Sequence, residues 1–176
     1  GIKAVVGLVG LQDVVDNDAA LEASVGSDLA QRSLQRFADD LRTGALEFLS
    51  AVKKAGIPLA IITHGNGEWT DLKLASHKLH FFIEQLHVVP EAEHKTKQQW
   101  AQAISALGVA PNEVIAIGDS ILTDMWPARE CGVNMLIWVD KPDGWSLYRR
   151  GTLPVGALPV KELTEVIPLI CSLPWN

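Results

Sequence analysis

Apolar residues in this chain fall into short runs separated by segments with helical spacing. Ile2 to Val9 is a nearly unbroken apolar run, suited to a central strand buried on both faces. Ala30, Leu34, Phe37 and Leu41 recur at helical spacing and predict a helix over 28–42. A second helix is expected from Thr43, as N-cap, to the stop at Gly56. Ile57 to Thr63 then reads as a buried strand ending in a hydroxyl, and Gly65 and Gly67 break the chain before a helix over 68–80. Gln85–Val89 predicts a strand, Lys95–Leu107 a helix, Val114–Ile117 a strand, 122–131 a short helix, and Asn134–Val139 a further strand. The tail is rich in Pro and Gly until Val160, where a last amphipathic helix is expected to open.

Strand and helix patterns alternate, with no internal repeat or low-complexity segment, so the expected fold is α/β: a three-layer, Rossmann-like parallel sheet with helices on both faces. In such sheets ligands bind where strand carboxyl ends, loops and helix N-termini converge. Thr63, Asp119 and the loop after Val9 all belong to that edge.

Composition narrows the function. With 176 residues the chain fits one domain spanning 1–176, and 48% hydrophobic residues supply a sizeable core. The net charge of −6 and scattered Lys and Arg argue against a nucleic-acid surface. No apolar run reaches the roughly 20 residues needed to span a bilayer. The opening GIKAVVGLVG lacks the charged start and cleavage site of a signal peptide and reads as a strand. The two cysteines, Cys131 and Cys171, lack metal-like spacing and cannot make a disulfide framework, which points to a reducing cytoplasm.

The strongest chemical signal is Ile115-Ala116-Ile117-Gly118-Asp119-Ser120-Ile121-Leu122-Thr123-Asp124. An apolar strand delivers Asp119 to the sheet edge, and Asp124 opens a helix five residues later. Two carboxylates there offer hard oxygens to Mg²⁺. Alternatively, Asp119 is a turn former and Asp124 a first-turn helix acid. The stretch from Val114 to Val139 resembles the fourth motif of the haloacid dehalogenase superfamily, in which a strand ends in Gly-Asp-Ser and a second Asp, a helix, Gly and a strand follow. Residues 45–66 resemble the helix–strand unit ending in the second-motif Thr or Ser, a position Thr63 takes. Lys95, with Lys97 as runner-up, stands where the family places its third-motif lysine. The likeness covers about residues 40–140 and is nearest to the phosphatase-type members. It implies a Mg²⁺-dependent hydrolase with Thr63, His64, Gly65 and Lys95 around phosphate, Asp119 and Asp124 at the metal, and Asp124 orienting metal-bound water or Lys95.

The first motif departs from the family. There an apolar strand runs into Asp-x-Asp-x-Thr, whose first Asp attacks phosphorus. Here Leu8 and Gly10 align with the two carboxylates. Three readings compete. The chain is a pseudoenzyme; or Asp16-Asn17-Asp18 is a displaced pair, with Asp16 as nucleophile and Asp18 as acid/base; or Gly7-x-x-Gly10 is a phosphate-binding loop. The Asp16–Asp18 cluster also reads as a helix N-cap before Ala19.

Of five histidines, His77 and His80 stand i, i+3 on an expected helix, and both suit an ordinary surface; His64 alone follows the sheet edge. Among Trp69, Trp126 and Trp145, Trp126 follows Asp124 and is a candidate wall of the site, with core packing or a subunit contact as the alternative for each. Residues 11–43 leave room for a small helical, cap-like insert at most. A minimal cap implies an open site, large substrates, or a second copy of the chain as lid in a homo-oligomer. The expected partner is a phosphorylated small molecule or protein. The expected activity is a weak or atypical phosphomonoesterase, with a catalytically inactive phosphate-binding relative as the alternative.

Overall fold

The computed structural model describes residues 1–7, 44–90, 93–140 and 149–173. The helix expected at 28–42, the insert at 11–43, and Leu8, Gly10, Asp16, Asp18 and Trp145 lie outside the described residues. Six strands, β1 (Ala4–Val6), β2 (Leu59–His64), β3 (Gln85–Val89), β4 (Val114–Gly118), β5 (Met135–Val139) and β6 (Leu158–Val160), form one sheet in the order β3-β2-β1-β4-β5-β6. Every pairing is parallel. The α-helices are α1 (Ala45–Lys54), α2 (Gly67–Ser76), α3 (Lys97–Ala106), α4 (Trp126–Glu130) and α5 (Val166–Ser172).

The two-residue period of the strands sorts their side chains onto two faces. Val5, Leu59, Ile61, Ile115 and Ile117 pack against Phe48, Leu49 and Val52 of α1 and Val166 and Ile170 of α5. On the opposite face Ala4, Val6, Ala60, Ile62 and Ala116 pack with Trp100 and Ile104 of α3 and Ala128 of α4. Ala60, Val6 and Ala116 form one row across three adjacent strands. Small residues in that row leave volume for the indole of Trp100, which is fully buried. Burying a side chain such as Phe48 or Leu49 stabilises the fold by about 1.5–3 kcal/mol each.

Four expectations need correction. The last helix does not open at Val160: Leu158-Pro159-Val160 is an edge strand paired with β5, and α5 begins at Val166 after a 3₁₀ turn. Proline is tolerated on an edge, where its missing N–H breaks no ladder. The helix expected over 68–80 ends at Ser76, because Lys78 adopts a left-handed φ of 55° and a 3₁₀ turn follows. His77 and His80 therefore do not share a helix face. Gly44, with φ 80°, occupies the N-cap of α1. A Cβ there would meet Thr164 Cγ2 at 2.5 Å, so close approach of the segment before α5 selects glycine. Finally, the helix expected over 122–131 is two elements, a π-turn (Ile121–Met125) and α4. Among the described residues no helix is long and apolar enough to cross a membrane.

Candidate functional site

The chain winds from β1 outward to β3, then returns to lay β4 beside β1 and winds the other way to β6. In sheets of this kind a ligand crevice lies at the carboxyl ends of the strands where this direction reverses. Gly7 ends β1 there with φ 96°; a Cβ on it would meet the Ile117 carbonyl oxygen at 2.3 Å and the Trp100 ring at 3.1 Å. Glycine thus lets β1 close tightly on β4 at the switch point.

Thr63 stands at the carboxyl end of β2 and is 7% exposed. Among the described residues its hydroxyl has no hydrogen-bond partner. Buried polar side chains are nearly always bonded, so an unmatched hydroxyl at this edge is a donor suited to a ligand oxygen. His64, next in the strand, has its Nε2 2.7 Å from the Glu93 carbonyl oxygen and its ring stacked on His94. Gly65 donates its N–H to the Val89 carbonyl at 2.9 Å, so that amide extends the sheet and is not offered to phosphate.

Beyond β4, Asp119 is half-buried and its carbonyl oxygen accepts from Trp138 Nε1 at 2.7 Å. The π-turn then folds Asp124 back over the strand end. The Asp124 and Met125 amides both donate to the Ser120 carbonyl, and the Ser120 hydroxyl accepts from the Thr123 amide. Such single π-turns recur at functional sites. Asp124 Oδ2 accepts from the Ser120 amide at 3.1 Å, while Oδ1 accepts from Lys95 Nζ at 2.5 Å. Room for this carboxylate exists because residue 118 is glycine: a Cβ there would lie 2.5 Å from Asp124 Cβ and 2.6 Å from Oδ2.

The Lys95 and Asp124 side chains are 8% and 4% exposed. Apolar residues of similar volume are often as stable as a buried ion pair, so stability alone does not account for it. Lys97, the runner-up for this position, is exposed at the start of α3 and lies outside the pair. Trp126 lies beside the pair, half-exposed, lining a surface depression that Lys95 also borders.

Sequence reasoning overlooked two supports. The indole of Trp100 donates to the Thr123 carbonyl at 3.1 Å, just before Asp124, and Trp138 holds Asp119 as described. Neither is signalled by residue spacing, since each bond ends on a backbone carbonyl.

A sequence profile described as a haloacid dehalogenase-like hydrolase matches residues 6–132. The chain belongs to the haloacid dehalogenase-like hydrolase family. The phosphoserine phosphatase of Thermus thermophilus is 27% identical over 149 residues, covering 80% of this chain and 59% of that protein. Among solved structures, a HAD phosphatase from Thermococcus onnurineus superposes with a TM-score of 0.66 at 21% identity, over 80% of this chain and 64% of that one. An uncharacterized protein from Listeria monocytogenes serotype 4b gives 0.71 at 17% identity and covers 97% of both chains. These likenesses establish the family fold. The chain spans under two thirds of the length of the Thermus and Thermococcus proteins.

Among the described residues the donor chemistry suits Mg²⁺ only in its water-rich mode, with Asp119 as the carboxylate and the other positions left to water and a ligand's phosphate oxygens. Both oxygens of Asp124 already accept hydrogen bonds. Among the described residues no group of three or more His, Cys, Asp or Glu could hold a metal ion.

Proposed function

We propose that this chain is a phosphate-monoester-binding member of the family whose hydrolytic chemistry is weak or atypical. The carrying observation is a buried Thr63 hydroxyl, unpartnered among the described residues, on the same sheet edge as the buried Lys95–Asp124 pair. Phosphate carries its charge on peripheral oxygens, so binding it is a matter of placed donors and positive charge. Thr63 donates its hydroxyl to one oxygen, and Lys95 supplies the ammonium. Of the two roles the resemblance gives Asp124, the geometry supports orienting Lys95. Mg²⁺ held through Asp119 would add positive charge against the phosphate when bound. The likeness to a phosphoserine phosphatase supports a phosphomonoester as ligand class, carried by a small molecule or a protein. Two free cysteines support a reducing, cytoplasmic setting.

Hydrolysis is the weaker half of this reading, because Leu8 and Gly10 align with the nucleophile and the acid/base. Loss of a covalent nucleophile costs about 10⁶ in rate in a well-characterised hydrolase. That observation favours a second reading, a pseudophosphatase that binds its phosphorylated ligand without turning it over. The test is a generic phosphatase assay with Mg²⁺ alongside a phosphate titration, on wild type, Asp16→Asn, Asp119→Asn, Thr63→Val and Lys95→Met. Activity that Asp16→Asn abolishes assigns the nucleophile to the displaced pair. Absence of turnover with phosphate binding that Thr63→Val weakens assigns the pseudoenzyme. Phosphate binding indifferent to Thr63→Val and Lys95→Met refutes the site.

A further inference from the structure

Beside the ion pair, a depression of about 490 Å³ opens between the loop entering α3 and the outer side of the π-turn and α4. It is open to solvent, so it would cover one face of a ligand and not enclose it. Lys95 lines it while holding Asp124 with its ammonium, so the depression and the phosphate cradle share a wall. Leu122, Trp126 and Pro127 contribute apolar surface, with Lys97 and Glu130 as charged neighbours.

Leu122 is 51% exposed and Trp126 39%. Large apolar side chains left in water are usually mobile, but Trp126 is tethered. Trp126 Nε1 donates to the Thr152 carbonyl at 2.8 Å, which fixes the plane of the indole. Leu122 backs onto the backbone at Gly151, where a Cβ would come within 3.2 Å of Leu122 Cδ2. A prearranged aromatic surface loses little conformational freedom when a ligand lands on it, which raises affinity. A flat indole face suits an aromatic ring in offset stacking better than a flexible alkyl chain.

We propose that this depression takes the organic group of a phosphate monoester and selects an aromatic one, its ring on Trp126 and its phosphate at Lys95 and Thr63. The inference deepens the phosphate-binding reading and rests on it. Lys95 borders both sites while Thr63 does not line the depression, so the ligand extends past Lys95 from one to the other.

The test titrates the protein with inorganic phosphate, methyl phosphate and phenyl phosphate, read by ³¹P NMR and calorimetry. Phenyl phosphate binds about 3- to 10-fold more tightly than methyl phosphate, the increment of one aromatic pair. Trp126→Ala abolishes that preference, whereas Trp126→Phe retains most of it. Leu122→Ala, which leaves the Thr152 bond intact, lowers the preference too and carries the test if Trp126→Ala melts early. Equal affinity for phenyl and methyl phosphate, or variants that weaken all three ligands alike, overturns the inference and leaves phosphate binding standing. Failure of wild type to bind inorganic phosphate overturns the underlying reading, and the inference falls with it.

Discussion

Replacing Lys95 with methionine isolates the physics of the buried pair. Methionine keeps most of the side-chain volume and removes the ammonium. Asp124 is then left with the Ser120 amide at 3.1 Å as its remaining donor, and with 4% of its side chain exposed, water cannot take over the lost role. Stranding one member of a buried pair costs about 3–5 kcal/mol. The molecule carries its own control. Lys53 and Glu84 are 3.3 Å apart with 39% and 49% of their side chains exposed, and such pairs contribute about 0–1 kcal/mol. In urea denaturation at neutral pH, an m-value of about 2 kcal/mol/M converts these costs into a midpoint drop of about 1.5–2.5 M for Lys95→Met and under about 0.5 M for Lys53→Met. Adding Asp124→Asn to Lys95→Met removes the stranded charge, so the double variant is more stable than Lys95→Met alone. Equal shifts for Lys95→Met and Lys53→Met, or a double variant less stable than the single, would refute the claim that the pair is shielded from water.

Three further outcomes follow from contacts elsewhere. Gly118→Ala puts a methyl group 2.5 Å from Asp124 Cβ, so it should destabilise by about 1–3 kcal/mol and weaken phosphate binding, read by melting and titration. Glu113 is held below its ordinary value first by the hydrogen bond from Lys3, at 2.7 Å, and then by the Ala110 amide. Because the folded value is depressed, the stabilisation it gives is present above the ordinary carboxylate range and is lost as pH falls through the folded midpoint. An NMR titration of the Glu113 carboxyl should show that midpoint below the ordinary glutamate value, moving upward in Lys3→Met. Burial pushes the Cys131 thiol up, and its Sγ lies 3.0 Å from the Lys97 carbonyl. Iodoacetamide at pH 7.5 should therefore label exposed Cys171 faster than Cys131, with the gap narrowing above pH 9, as peptide mass spectrometry would show.

Much of the fold was legible because a parallel sheet buried on both faces writes itself as apolar runs. Gln85–Val89 was bounded correctly, and Val114–Ile117 and Asn134–Val139 were right to within a residue. The edge strand at Leu158 was not legible, since three residues containing a proline carry no periodicity and the partner strand supplies the order. The π-turn escaped for a related reason. Its register depends on where the Ser120 carbonyl finds donors, and the apolar spacing of 121–131 suits an α-helix equally well. At the candidate site, strand ends placed Thr63 and Asp119 on one edge, and the family resemblance added Lys95 and Asp124 to them. The choice of Lys95 over Lys97 agrees with its bond to Asp124; what remained hidden was that the Gly65 amide is committed to β3 and that the Thr63 hydroxyl lacks a partner among the described residues.

The proline in β6 bears on assembly. Because the Asp140 amide donates to the Val160 carbonyl, the polar groups of Leu158 and Val160 turn inward to β5, and those of Pro159 turn outward. Proline has no amide hydrogen to present. This margin therefore gives a foreign strand no donor with which to zip on, and it protects the molecule from edgewise aggregation. Sheet-to-sheet continuation between molecules would have to run through β3 on the far flank, and a contact along β6 would be made by side chains instead.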